Sequence, residues 1–179
     1  AVVAAASCCG VGLPTISRAL ASARIASRWR METTTTADGS IVINDAYNAN
    51  PESMAAALRA LVAMGQGGTT WAVLGEMREL GVSSEDAHAD IGRLAALLGV
   101  DRLVAIGDGA QAIADGALAA GYSAEAARYV PDVSAARTLL AAELSAGDVV
   151  VVKASRAIGL EVLAAAIISD HGGDSVTVS

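Results

Sequence analysis

The chain has 179 residues, with twelve basic and nineteen acidic side chains for a net charge of −7 and a sequence pI near 4.7. A 54% hydrophobic composition with mean hydropathy +0.49 can offset the conformational entropy of ordering and excludes intrinsic disorder, while the acidity excludes a nonspecific binder of nucleic acid or anionic membrane. Two Trp, three Tyr and no Phe leave a core of Ala, Val, Leu and Ile and no base-stacking platform.

Residues 1–16 are apolar. They lack the initiating Met and basic start of a secretory signal, and they are too short and too rich in Ala and Gly to span a bilayer. The expectation is a buried helix, and Pro14 opens a second short helix to about residue 21. A chain starting with Ala inside a helix reads as a fragment of a longer one. Cys8 and Cys9 are adjacent, rarely meet disulfide geometry as neighbours and have no second cluster to pair with, which points to a reducing, cytoplasmic compartment. Residues 30–36 form a Thr-rich strand, Asp38-Gly39 a hairpin turn, and 40–44 the returning strand with Ile41, Val42 and Ile43.

From there helices and strands alternate. Helices are expected at 51–64, 83–98, 110–120, 133–144 and 160–168, and strands at 71–74, 103–106, 127–130 and 149–153. Ser83 or Ser84 caps the second of these helices, Glu85 and Asp86 suit its first turn, and Gly99 ends it. Residues 172–179 read as a flexible polar tail. Apolar strands without alternation, each followed by a helix, are strands covered on both faces. The fold class is therefore α/β: a doubly wound, mostly parallel sheet of about six strands, with one antiparallel hairpin strand at an edge and helices on both faces. No fixed-period repeat occurs.

In such a sheet ligands bind beyond the carboxyl ends of the strands, which nominates the loops 44–51, 75–81, 107–109, 130–132 and 153–159. Gly107, Gly109 and Ala112 outline a dinucleotide fingerprint, but the acidic residue expected about twenty positions on is missing, so glycine punctuation of a strand-to-helix turn competes with nicotinamide-dinucleotide binding. The loop 44–51 is denser. Asn44, Asp45, Tyr47, Asn48, Asn50 and Pro51 lie between a hydrophobic strand and a Pro-initiated helix. Asn50 fits an N-cap, yet one cap does not account for three amides, a carboxylate and a phenol. Together they suit a nucleotide: a carboxylate for ribose hydroxyls, a ring for a base, amides and helix N–H groups for phosphates.

The loop 153–159 carries Lys153, Ser155 and Arg156. A Lys after four valines is ordinarily the first solvated residue, but Arg156 beside it makes a fork able to hold a carboxylate. Glu76, Arg78 and Glu79 in the loop 75–81 fit either a functional or a self-paired surface turn. His88, mid-helix, reads as an ordinary partly buried histidine. With His171 far off and the cysteines adjacent there is no plausible zinc set, so no metal site is expected. No G-x-S-x-G elbow and no G-x-x-x-x-G-K-[ST] phosphate loop occurs in the 179 residues.

The run from Ile43 to Met54 resembles the Mur ligases, in the branch that joins D-alanyl-D-alanine to UDP-N-acetylmuramoyl-tripeptide. Three further matches follow the family order. Arg30-Met31-Glu32 is similar to its G-R-M-E linker, with Trp29 in place of Gly. Residues 73–81 are similar to V-L-G-D-M-x-E-L-G, and 152–161 to V-K-G-S-R-x-M-G-L-E. Ala154 and Ala157 stand where the family usually has Gly, which makes that loop less permissive at positive φ. The resemblance covers roughly residues 28–168. It implies the Rossmann-like C-terminal domain (29–171) of a three-domain enzyme, preceded by terminal helices of the central, ATP-binding domain (1–28).

The implied reaction serves peptidoglycan synthesis, and through it cell-wall biogenesis, cell shape and division. The ATP γ-phosphate passes to the peptide carboxylate, the dipeptide amine attacks the acyl phosphate, and the C-terminal domain closes over the central one to exclude water. ATP and Mg²⁺ are the implied cofactors of the whole enzyme, none of them held tightly by this fragment, which is expected to be inactive alone. The implied partners are the central and UDP-sugar domains of the same enzyme and its two substrates, with no nucleic acid and no membrane insertion. Arg30 and Asp45 would contact the ribose and Tyr47 the adenine, with Asn48 and Asn50 near the phosphates or ordering the loop. Lys153, Ser155 and Arg156 would face the dipeptide or the reacting carboxylate, Lys153 and Arg156 as catalytic groups. The competing reading is a stand-alone Rossmann-like nucleotide module holding NAD at 107–109 without catalysis.

Overall fold

A computed structural model describes residues 2–22, 28–65, 67–172 and 176–177. Positions 1, 23–27, 66, 173–175 and 178–179 lie outside the described residues, and with them parts of the expected terminal segments 1–28 and 172–179. Seven strands form one sheet: β1 Glu32–Thr35, β2 Ile41–Asp45, β3 Thr70–Gly75, β4 Arg102–Ile106, β5 Ala127–Val130, β6 Val149–Lys153 and β7 Val176–Thr177. They are ordered β5-β4-β3-β6-β2-β1-β7. The five from β5 to β2 are parallel, and β1 and β7 add antiparallel partners at one end. The hairpin strand β1 is thus one place in from the edge. Its outer side is covered by β7, from the stretch read as a tail.

The helices are α1 Val2–Cys8, α2 Leu13–Ser22, α3 Pro51–Met64, α4 Ser84–Leu98, α5 Gln111–Ala119, α6 Val133–Glu143 and α7 Glu161–Asp170. Side chains alternate across a strand, so β6 sends Val149 and Val151 to one face and Val150 and Val152 to the other. The first face packs against α3, α4 and α5 through Met54, Leu58, Leu61, Ile91 and Ile113. The second packs against α6 and α7 through Leu140, Leu160, Leu163 and Ile167. This is the expected doubly wound sheet, with β6 inserted between β3 and β2. The connections diverge there, so the crevice at its carboxyl end is the place for a ligand.

Two local features depend on glycine. A Cβ on Gly92 would lie 1.9 Å from the Ile113 carbonyl oxygen, and one on Gly116 would lie 2.1 Å from that of Ala89. Helices α4 and α5 therefore meet backbone to backbone.

The two short helices expected at the start are present, separated by a turn at Cys9 and Gly10 (φ 79°), but the expectation that the first is buried is corrected. The described side chains from Ser7 to Thr15 are exposed, Leu13 at 65%, and Ile16 alone among those of 7–16 is buried. An Ala-rich segment of seven residues has too little apolar volume to make a core of its own. Both cysteines are free and exposed. Among the described residues no helix is long and apolar enough to cross a membrane.

Candidate functional site

Strands β2 and β6 are parallel neighbours, and their register pairs the last residue of one, Asp45, with the last of the other, Lys153. Both side chains point to the α3 face, following Ile43 and Val151. Lys153 Nζ donates to Asp45 Oδ2 at 2.6 Å and to the Asn48 carbonyl at 2.7 Å. Its side chain is 2% exposed. Lys153 is thus not the solvated residue that ordinarily follows such a strand: the partner carboxylate at the adjacent strand end lets the charge stay buried. Asp45 Oδ1 accepts the Met31 N–H at 3.0 Å, and the Tyr47 N–H donates to the Trp29 carbonyl at 3.1 Å. The segment entering β1 is thus fastened to the loop leaving β2.

The three amides of that loop bind its own backbone. Asn44 Oδ1 accepts the Ala46 N–H at 3.3 Å, and Asn48 Oδ1 accepts the Ala49 N–H at 2.9 Å. Asn50 caps α3: its Oδ1 accepts the Ser53 N–H at 2.8 Å, and the Ser53 hydroxyl accepts the Asn50 N–H at 3.0 Å. Around the Tyr47 ring stand two guanidinium groups, Arg30 at 4.3 Å and Arg156 at 5.4 Å from the centroid. Arg156 also lies 5.9 Å from the Trp29 ring. Arg30, Asp45, Tyr47, Asn48, Asn50 and Lys153 line one pocket of about 420 Å³, floored by Ala56 and Ala57 of α3.

Ser155 stands apart. It is buried, its Oγ accepts the Arg78 N–H at 2.9 Å, and its N–H donates to the Glu76 carbonyl at 3.0 Å, so it bolts the loop 153–159 to the loop 75–81. That second loop is held from below by His88, which is fully buried and not the ordinary, partly buried histidine expected above. His88 is 1% exposed; its Nε2 accepts the Met77 N–H at 2.8 Å and its Nδ1 lies 2.6 Å from the Ser84 carbonyl. Since one neighbour only donates and the other only accepts, the ring is the neutral Nδ1–H form. The only sequence signal was an isolated histidine four residues after a Ser.

Ala154 and Ala157 are accommodated without left-handed backbone. The positive φ of the loop falls on Gly159 at 75°, and the Ala154 methyl sits in the space left by Gly75. At 107–109 the glycines have a local use as well. A Cβ on Gly109 would fall 2.5 Å from the Glu76 carboxyl carbon, and Asp108 accepts the Tyr129 hydroxyl at 2.6 Å.

The fold and the pocket at its diverging strand ends define the class as an open, doubly wound α/β domain with a polar site at the carboxyl edge of its sheet. The chain belongs to the Mur ligase family, whose glutamate ligase domain it matches over residues 29–156. It is 46% identical over 176 residues to the UDP-N-acetylmuramoyl-tripeptide–D-alanyl-D-alanine ligase of Mycobacterium leprae, covering 90% of this chain and 34% of that protein. The ligase of the same name from Mycobacterium tuberculosis H37Rv is 45% identical over 94% of this chain and 36% of its own length. Among solved structures, MurF from Acinetobacter baumannii superposes with a TM-score of 0.79 at 32% identity, covering 93% of this chain and 35% of that one. The chain thus spans about a third of the length of these relatives.

Proposed function

We propose that this chain is the closing, C-terminal domain of an ATP-dependent cytoplasmic ligase that joins D-alanyl-D-alanine to UDP-N-acetylmuramoyl-tripeptide in peptidoglycan synthesis. The observation that carries the reading is the convergence of Arg30, Asp45 and Tyr47 on one pocket, with Arg156 against the same ring. The residues fit a nucleoside. Each Asp45 oxygen holds one donor in the structure, which leaves a further lone pair on each for ribose hydroxyls. Tyr47 offers a face to adenine once a guanidinium moves from it, and Arg30 supplies a cation for the phosphates. Asn48 and Asn50 order the loop that presents these groups, and Arg156, exposed and charged, faces the incoming dipeptide from a loop held in place by Ser155.

Bound ATP with Mg²⁺ supplies the phosphoryl group that activates the tripeptide carboxylate. This chain's share is to hold the nucleoside end, orient the amine-bearing substrate and exclude water from the acyl phosphate on closure. Among the described residues no three His, Cys, Asp or Glu side chains stand together as a metal site. The reading as a stand-alone NAD module is not favoured, because the room that Gly109 leaves is filled by Glu76.

Two measurements test the proposal. The isolated chain should release no ADP with tripeptide precursor and dipeptide; turnover by this chain alone would refute it. In the full-length ligase containing the chain, Asp45→Ala should raise KM for ATP more than KM for the dipeptide, and Arg156→Ala should do the reverse. Unchanged kinetics in both variants would show that the pocket is not the site.

A further inference from the structure

Lys153 is the single lysine of the chain; all its other cationic residues apart from the histidines are arginines. Among the described residues it is also the one buried Lys or Arg. Its ammonium group is enclosed, with one N–H committed to Asp45 and one to the Asn48 carbonyl. An ammonium held by two oxygens inside the domain presents little charge to an incoming carboxylate, whereas Arg156 stands exposed three residues on. What Lys153 does control is the pocket wall. Its first contact orients the carboxylate that also takes the Met31 N–H, and its second fixes the backbone one residue past Tyr47.

We propose that Lys153 is a positioning residue: it serves the pocket by holding the Asp45 carboxylate and the Asn48 carbonyl in place, and does not itself contact the substrate. The juxtaposition is set by the β2–β6 register, which leaves two opposite charges side by side at neighbouring strand ends. Removing either partner strands the other as a buried, uncompensated charge, so the two residues behave as one unit. The kinetic part of this proposal rests on the nucleotide reading above; the pairing itself does not.

The pairing is tested first by spectroscopy, apart from any kinetic readout. In a proton–nitrogen spectrum tuned to lysine ammonium groups, a chain with one lysine gives at most one such signal. Exposed ammonium protons exchange with water too fast to be seen at neutral pH, while buried, hydrogen-bonded ones persist. A visible Lys153 signal that broadens or vanishes in Asp45→Asn supports the proposal, and its absence from the unaltered chain overturns it. The role is then read in the full-length ligase with Lys153→Gln, Asp45→Asn and the pair. Positioning predicts that Lys153→Gln raises KM for ATP about tenfold with KM for the dipeptide unchanged, and that the double variant is no worse than Asp45→Asn alone. A raised dipeptide KM in Lys153→Gln, or losses that multiply in the double variant, would show direct substrate contact and overturn it. If Asp45→Asn leaves the ATP dependence untouched while the ammonium signal is present, the nucleotide reading falls and the pairing stands.

Discussion

His88 carries the loop 75–81 on a single ring, and replacing it measures how much that support is worth. His88→Phe keeps the volume and removes both ring nitrogens. The Met77 N–H, buried in the structure, then loses its acceptor, and an unpaired buried donor costs about 1–3 kcal/mol. The Ser84 carbonyl belongs to the first turn of α4 and keeps its intrahelical use, so it adds little. With a urea dependence of about 2 kcal/mol per molar for a small domain, a loss of about 2 kcal/mol moves the unfolding midpoint down by about 1 M. His88→Gln retains one acceptor and one donor and should lose less than half as much. A nitrogen spectrum of the unaltered chain should show the proton of His88 on Nδ1. A His88→Phe midpoint within about 0.2 M of the original, or a proton found on Nε2, would refute the reasoning.

Gly92→Ala and Gly116→Ala each force apart the α4–α5 contact, where a methyl would sit about 2 Å from a carbonyl oxygen; each should cost about 1–3 kcal/mol by urea unfolding. Asn50→Ala removes the α3 cap and should cost about 1 kcal/mol, with Asn50→Ser retaining most of it. Asp38 is held below the ordinary carboxylate range by the Thr36 hydroxyl above all; burial opposes this as the next largest effect, and hydrogen bonds with His171 and Ser40 add to the lowering. Its folded value is depressed relative to the unfolded one, so its contribution is complete above the usual carboxylate range and is lost as pH falls. Thermal melts across that acid range should therefore show a shallower decline for Asp38→Asn than for the unaltered chain.

Signals confined to a few neighbouring residues were readable in the sequence. Asn50-Pro51 sets the start of α3, and four consecutive valines before Lys153 set β6. The start of β1 was not readable. The Thr run predicts a strand from residue 30, but Trp29 and Met31 adopt left-handed backbone at φ 61° and 49°, so pairing begins only at Glu32. Nothing in a Trp or a Met announces that conformation. It is held from elsewhere, by the Asp45 carboxylate on the Met31 N–H and the Trp29 carbonyl on the Tyr47 N–H. The candidate site divides the same way. The polar content of 44–51 marked it as a candidate from composition alone, and the structure brings Asp45, Tyr47, Asn48 and Asn50 to one pocket. That Lys153 would be buried against Asp45 required the β2–β6 register, which no local pattern encodes.

The rim of the pocket is made of parts held with very different strength. Lys153, Ser155 and His88 are buried and tie the loops 44–51, 153–159 and 75–81 by hydrogen bonds to charged or backbone groups, so moving any of them exposes unpaired polar atoms. Arg30 and Arg156 are exposed, and the contacts that place them at the pocket are with aromatic rings. Such an exposed cation–π contact is worth only about 0.5–1 kcal/mol. A phosphate or carboxylate offers a guanidinium a charge-assisted, two-pronged bond of greater strength, so either arginine leaves the Tyr47 ring for an anion at little cost. The frame of the domain is therefore set before any ligand arrives, and the groups free to respond to one are the two guanidiniums and the ring they uncover.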